Sequence, residues 1–142
     1  MNSAEKGNQL MSTIMGWMER NGIPFDNHKD YEENELFIDA LYTRGMPDEV
    51  VCIYFHEESG DFDVLLDDEE YTTISDDSSV SVYSNDCKDG VDYCNMAINI
   101  TNEEGTYQYT LMGRKDKGII QVRQTKVLNY SDDNSYTKAL DC

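Results

Sequence analysis

Three strand-like runs, separated by two turn sequences, lie within residues 36–66, which read LFIDALYTRGMPDEVVCIYFHEESGDFDVLL. In the first run, alternate residues from Leu36 to Tyr42 are apolar, which is typical of a strand with one buried face. Gly45-Met46-Pro47-Asp48 and Glu58-Ser59-Gly60-Asp61 contain the residue types that favour turns. We therefore predict three consecutive antiparallel strands, at residues 36–43, 50–55 and 62–66.

A helix is predicted before these strands, over residues 3–21. Its apolar side chains recur at helical spacing in two adjacent rows, which are Leu10, Ile14 and Trp17, and Met11, Met15 and Met18. Asn21-Gly22 can adopt the left-handed conformation that ends a helix, and Pro24 prevents its continuation. We expect the wide apolar side of this helix to pack on the sheet.

The second half of the chain is less regular. Residues 106–112 and 119–128 are predicted to form a hairpin around a basic turn, whereas residues 26–35 and 67–92 are rich in acidic residues. We expect residues 26–35 to be an acidic connector and residues 67–92 to be a long loop or an edge strand. The period of residues 93–101 fits either a strand or a helix.

These elements together predict one acidic α+β domain that spans residues 1–142. In this fold class the N-terminal helix packs on an antiparallel β-sheet of about five to six strands, with a second helix possible around residues 88–100. Residues 129–142 are polar and are predicted to be a flexible tail.

The chain is strongly acidic, with 29 Asp and Glu against 11 Lys and Arg and a net charge of -18. Residues 26–104 contain 23 acidic and 3 basic residues, whereas residues 105–131 contain five basic residues and one acidic residue. Such a field disfavours free nucleic acid and anionic membrane as partners, and it favours a protein with a basic surface. Solubility alone would be an equally simple use of this charge.

The order of elements resembles the YbjN family, whose fold is that of type III secretion chaperones. The resemblance is to the opening helix that ends in Trp17-Met18-Glu19-Arg20-Asn21-Gly22-Ile23-Pro24-Phe25, and to Asn95-Met96-Ala97-Ile98-Asn99 followed by Glu104-Gly105-Thr106-Tyr107-Gln108-Tyr109. It implies an α+β sandwich, often a homodimer, that holds or regulates another protein. It also implies that residues 88–100 are helical.

No motif for catalysis, for a cofactor or for a metal ion is recognised in the chain. The cysteines lack paired metal spacing, and neither His28 nor His56 belongs to a recognisable triad. Aligning Gly90 with the glycine of a calcium loop places Cys87 and Tyr93 at ligand positions, which excludes that motif. No catalytic, cofactor-binding or metal-binding residue is therefore predicted.

The densest acidic sequences are the candidate partner-binding residues Glu32 and Glu33, and Asp67, Asp68, Glu69 and Glu70. We expect a non-enzymatic adaptor or chaperone-like regulator that binds a basic protein through its acidic surface. The alternative is a nucleic-acid mimic of the phage anti-restriction or anti-CRISPR type, or an immunity protein, that blocks a basic nuclease surface. No signal peptide is visible, so we expect reduced thiols and a cytoplasmic location in a bacterial or phage-infected cell.

Overall fold

The structure, a computed structural model, describes residues 1–65, 71–129 and 137–141. In these residues one helix, α1, spans Ser3–Arg20. Ten strands follow it: β1 Phe25–Asp30, β2 Glu35–Leu41, β3 Val50–His56, β4 Asp61–Leu65, β5 Thr72–Thr73, β6 Ser79–Asn85, β7 Tyr93–Thr101, β8 Gly105–Arg114, β9 Gly118–Asn129 and β10 Thr137–Asp141. The α+β class predicted from the sequence is confirmed.

The strands form two antiparallel sheets of five strands each, in place of the single sheet of about five to six strands that we expected. The first sheet has the order β1-β2-β3-β4-β5, and the second has the order β10-β9-β8-β7-β6. Each sheet is therefore built from one contiguous half of the chain. The two sheets also join at one corner, where the Thr43 backbone N–H donates to the Ile119 carbonyl over 2.9 Å.

The inward faces of the two sheets and one side of the helix enclose a single core. The rings of Phe62 and Tyr109, one from each sheet, meet edge to face with centroids 5.3 Å apart. The helix contributes Leu10, Met11, Ile14, Trp17 and Met18, all of them buried. Burial of this apolar surface is the main stabilising contribution, as in other globular folds.

Both ends of the helix are tied to the segments that flank β6. Near the first end, Lys6 Nζ donates to the carbonyls of Asp76 and Ser78, the latter over 2.6 Å. At the other end, the buried Asn21 side chain donates to Asp86 Oδ1 over 3.0 Å and accepts from the Cys87 backbone N–H over 2.7 Å. Both ends of the helix are thereby fixed relative to β6, the edge strand of the second sheet.

The helix implied for residues 88–100 is not present, and this prediction is wrong. Residues 93–101 form strand β7, which pairs along its whole length with β8. Alternate side chains from Cys94 to Ile100 are buried, so the period of two describes this segment and the helical period does not.

Two other segments also differ from expectation. Residues 25–30 form the edge strand β1 and pair with β2, although their sequence FDNHKD lacks apolar alternation and was expected to be a connector. Residues 137–141, within the expected flexible tail, pair with β9 as β10. Within the described residues, no helix is both long and apolar enough to cross a membrane.

Candidate functional site

The outward side of the first sheet is the most acidic surface that the structure describes. On β2 and β3 its residues alternate with those that face the core, and cross-strand register places the outward residues of β1 and β4 beside them. We call this surface the acidic face; it consists of Asp26, His28, Asp30, Glu35, Phe37, Asp39, Leu41, Val50, Cys52, Tyr54, His56, Asp61, Asp63 and Leu65. It contains no Lys or Arg and six carboxylates, of which Asp63 is buried and the other five are exposed or half-buried.

A row of three rings crosses the middle of the acidic face. His28 and Phe37 lie with ring centroids 4.9 Å apart, and Phe37 and Tyr54 with centroids 5.5 Å apart. These residues are direct neighbours in register on β1, β2 and β3. The rings are tilted by 35° and 46° against their neighbours, and together they form an aromatic strip that is at least partly exposed to solvent.

The carboxylates lie on both sides of this ring row. Asp26 is directly opposite Asp39 at one end, and Asp30 is directly opposite Glu35 at the other. Directly opposed like charges destabilise a sheet, because neighbouring side chains on one face are only about 5 Å apart. The acidic face therefore concentrates charge at a cost to the stability of the isolated chain.

These carboxylates also affect the pKa values of neighbouring side chains. Burial raises the pKa of the Cys52 thiol to about 12, and the hydrogen bond to Asp39 adds to the increase. Burial likewise raises the pKa of Tyr54, with Glu35 and Asp61 contributing. In both cases the nearby negative charge disfavours ionisation of the neutral group.

Of the candidate residues named from the sequence, two lie beside this face. Glu32 and Glu33 are exposed in the turn between β1 and β2, and their backbone N–H groups donate to Asp30 Oδ1 over 3.0 and 3.2 Å. The turn brings them to the Asp30 and Glu35 end of the acidic face. Asp67, Asp68, Glu69 and Glu70 lie outside the described residues.

Lys29 does not neutralise the acidic face, because its side chain lies on the other side of β1. There it pairs with Glu57, with Nζ to Oε1 at 2.9 Å. That contact and a hydrogen bond from Asn8 lower the pKa of Glu57.

The outward side of the second sheet has a different character. On β7, β8 and β9 it presents amides, hydroxyls and the two cations Arg114 and Arg123, without a carboxylate. We call this surface the polar face. The described molecule thus has an acidic side and a polar, weakly basic side, which agrees with the uneven charge of the sequence.

The other groups considered for chemistry have structural contacts. His56 Nδ1 accepts a hydrogen bond from the Ser59 backbone N–H over 3.0 Å, which occupies the nitrogen nearest to the Ser59 hydroxyl. The carboxylates of Asp86 and Asp92 are paired with Arg20 and Arg114. Across residues 1–65, 71–129 and 137–141, no three His, Cys, Asp or Glu residues are arranged to hold a metal ion.

Counting acidic runs in the sequence did not identify the acidic face. Its carboxylates are separated by one to three residues within each strand, and they come together only through pairing of four strands. The signal in the sequence that could have located this face is the alternation of inward and outward side chains along each strand. Once residues 36–66 are folded as three hairpin strands, Phe37, Asp39 and Tyr54 must share the outer side.

Comparisons of the chain with protein-family models, with curated proteins and with solved structures find no match, so the resemblance to the YbjN family stays a prediction.

Proposed function

We propose that the chain is a non-enzymatic adaptor or chaperone-like regulator that binds a basic protein on its acidic face. The observation that supports this most is the ring row of His28, Phe37 and Tyr54, which has a pair of opposed carboxylates on each side. Carboxylates bind guanidinium groups through paired hydrogen bonds, and aromatic rings attract cations over their faces. An arginine-rich surface would use both properties.

The opposed carboxylates give the partner a further source of affinity. Bringing a cation between Asp26 and Asp39, or between Asp30 and Glu35, removes a repulsion that the free chain tolerates. Binding is then favoured by new contacts and by relief of an unfavourable arrangement. It also weakens with salt, because exposed charges are screened.

The second candidate is a mimic of nucleic acid that blocks a nuclease. The observation that favours it is the placement of Asp26 and Asp30 on one strand and of Glu35 and Asp39 on the next, with no cation between them. Same-side residues four apart on a strand are separated by about 13 Å, so the carboxylates form two parallel rows. Such rows could occupy lysines and arginines that otherwise hold phosphates.

A charge-matched pair of variants tests the proposed site. The face variant combines Asp26→Asn, Asp30→Asn, Glu35→Gln and Asp39→Asn. The control variant removes four exposed carboxylates elsewhere through Glu19→Gln, Asp77→Asn, Asp89→Asn and Glu103→Gln. Both variants have the same net charge, so only the position of the lost charge differs between them.

Each tagged protein is used to recover partners from the native host at low and at high salt, and the affinity of a recovered partner is then measured. We expect the face variant to lose at least about tenfold in affinity and most of its salt dependence, and the control to lose less than about threefold. Equal loss in both variants would show that net charge alone is responsible, and would refute a site on the acidic face. A nuclease whose binding is competed by duplex DNA would favour the mimic.

A further inference from the structure

A cleft at the junction of the two sheets gathers basic side chains in this acidic chain. It lies where the β2–β3 connection crosses the beginning of β9, beside the contact between Thr43 and Ile119. Its volume is about 430 Å³, within the range of small-ligand sites. It is lined by Thr43, Arg44, Tyr93, Met112, Arg114, Lys117, Ile120 and Gln121.

Three cations line this cleft, and one carboxylate contacts them. Arg114 Nε donates to Asp92 Oδ2 over 2.9 Å, whereas Arg44 forms no ion pair with any residue of the described part of the chain. With Lys117, the group has a net charge of +2. This local excess stands out because the chain as a whole has a net charge of -18.

One arginine of the cleft, Arg114, is held in position before any ligand arrives. Asp92 binds its Nε, and its guanidinium lies over the ring of Tyr93 at 5.3 Å from the centroid. Contact with Asp92 also raises the pKa of Arg114, which as a guanidinium is charged at any physiological pH. A preoriented guanidinium loses little conformational entropy on binding an anion.

The cleft combines this charge with apolar walls from Met112 and Ile120 and with hydrogen-bonding groups from Thr43 and Gln121. Arginine and lysine together match the oxygens of a phosphate group. A long polyanion would extend over the acidic parts of the surface and be repelled there, so a small anion fits this position better than a nucleic acid does.

We propose that the cleft binds a small phosphate ester, with Arg44, Arg114 and Lys117 around the phosphate and with Met112 and Ile120 against the uncharged remainder of the ligand. This site is separate from the acidic face, and the proposal does not depend on the function assigned to that face. It gives the chain a ligand site of its own beside its surface for a protein partner.

Titration of the full chain followed by NMR, at constant ionic strength, tests the proposal. The probes are inorganic phosphate, AMP, adenosine and a short single-stranded oligonucleotide. We expect saturable binding of phosphate and of AMP at one site per chain, with the largest amide shifts at Arg44, Tyr93 and Gln121. Adenosine, which lacks the phosphate, is expected not to bind.

Two variants test which side chains bind the phosphate group. The double variant Arg44→Ala, Lys117→Ala is expected to weaken AMP binding by about tenfold or more, since it removes two charged donors. Arg123→Ala removes a cation from the same face outside the cleft, and it is expected to weaken AMP binding by less than about threefold. Unchanged amide shifts away from the cleft show that each variant is folded.

The proposal is overturned if neither phosphate nor AMP shows saturable binding to the unmodified chain. It is also overturned if Arg123→Ala weakens binding as much as the double variant does, because the positive charge of the whole face would then be responsible. Tighter binding of the oligonucleotide than of AMP would contradict a small ligand.

Discussion

The thiol of Cys52 lies in the middle of the acidic face, between strands that bear Asp39 and Asp63. Desolvation is the main reason for its raised pKa, and the Asp39 carboxylate, which accepts a hydrogen bond from the thiol, is the next. Because only the thiolate is an effective nucleophile, the environment of Cys52 suppresses its reactivity. The state of this thiol is therefore set by its burial and, after that, by the two neighbouring carboxylates Asp39 and Asp63.

We predict that Cys52 reacts with iodoacetamide at pH 8 at least about tenfold more slowly than an unperturbed thiol does, since little thiolate is present below its pKa. Asp39→Asn removes the hydrogen bond and the charge, so it should lower the pKa of Cys52 and speed the reaction. The pKa should stay above the ordinary value, because burial remains. Peptide mapping by mass spectrometry separates Cys52 from the other cysteines.

Asp26→Asn is the matched control for this measurement. It removes a carboxylate from the same face, directly opposite Asp39, but Asp26 is not among the groups that shift Cys52. We expect it to change the alkylation rate by less than about twofold. A rate for the unmodified chain equal to that of a free thiol would contradict the burial of Cys52.

Helix α1 approaches strand β3 closely, and one glycine makes this possible. A Cβ atom added at Gly7 would lie 1.9 Å from the ring of Phe55, which is fully buried and cannot move aside without disturbing the core. Gly16, two and a half turns further along, has only the end of the Arg20 side chain near its Cβ position, at 3.5 Å. Packing of the helix therefore requires a glycine at Gly7 much more than at Gly16.

We predict that Gly7→Ala lowers the free energy of unfolding by about 1–3 kcal/mol, the usual cost of overpacking a core. Gly16→Ala should raise it by about 0.5–1 kcal/mol, because alanine favours the helical backbone. Urea unfolding followed by circular dichroism measures both. If Gly7→Ala stabilised the chain as much as Gly16→Ala does, the helix could not pack on Phe55 as described.

The elements that the sequence predicted well are those with a clear period. The helix, expected at residues 3–21, spans Ser3–Arg20, and the two hairpin strands of the second half lie at Gly105–Arg114 and Gly118–Asn129, close to the expected positions. In each of these elements the apolar residues recur at the period that places them on the buried side. Local pattern was sufficient where one side faces the core and the other faces water.

Strands without such a pattern were missed or misassigned. β1 has no buried side chain, since it covers the edge of the sheet with polar residues, and so it lacks the signal of a strand. β7 had two compatible periods, and the family resemblance favoured the wrong one. The division into two sheets depends on long-range packing, which local sequence does not specify.

The candidate site was predicted only at its margin. Glu32 and Glu33 lie at one end of the acidic face, whereas Asp26 and Asp39 meet only after β1 pairs with β2. Because β1 was not recognised as a strand, the opposed carboxylates could not be foreseen. The basic cleft also brings together Arg44 and Lys117, which are far apart in sequence.

The described surface separates negative from positive charge on the two outer sides of the sandwich. The acidic face has five carboxylates that are exposed or half-buried and no Lys or Arg, and the outward side of β7, β8 and β9 contains two arginines and no carboxylate. Repulsion within the acidic face therefore opposes folding at low salt, while the three described ion pairs are too few to offset it.

We predict that the free energy of unfolding increases by about 1 kcal/mol between low salt and about 0.5 M NaCl, because salt screens the opposed carboxylates. The face variant should be more stable than the unmodified chain at low salt, and its stability should change less with salt. Unfolding in urea, which is uncharged, keeps ionic strength under control. The control variant, which has the same net charge as the face variant, separates the effect of the position of the charges from that of their number. A greater dependence of stability on salt in the face variant than in the unmodified chain would contradict this account.

The helix is synthesised before both sheets, yet its buried side needs both of them, and the second sheet supplies Tyr109 and Leu111 from β8. At typical translation rates, roughly 5–20 s pass between completion of the helix and emergence of those strands from the ribosome. During that interval the buried side chains Met11, Trp17 and Met18 lack the part of the core that the second sheet supplies. A nascent chain of this protein therefore carries a methionine-rich amphipathic segment whose apolar side stays partly uncovered until the strands of the second sheet are made.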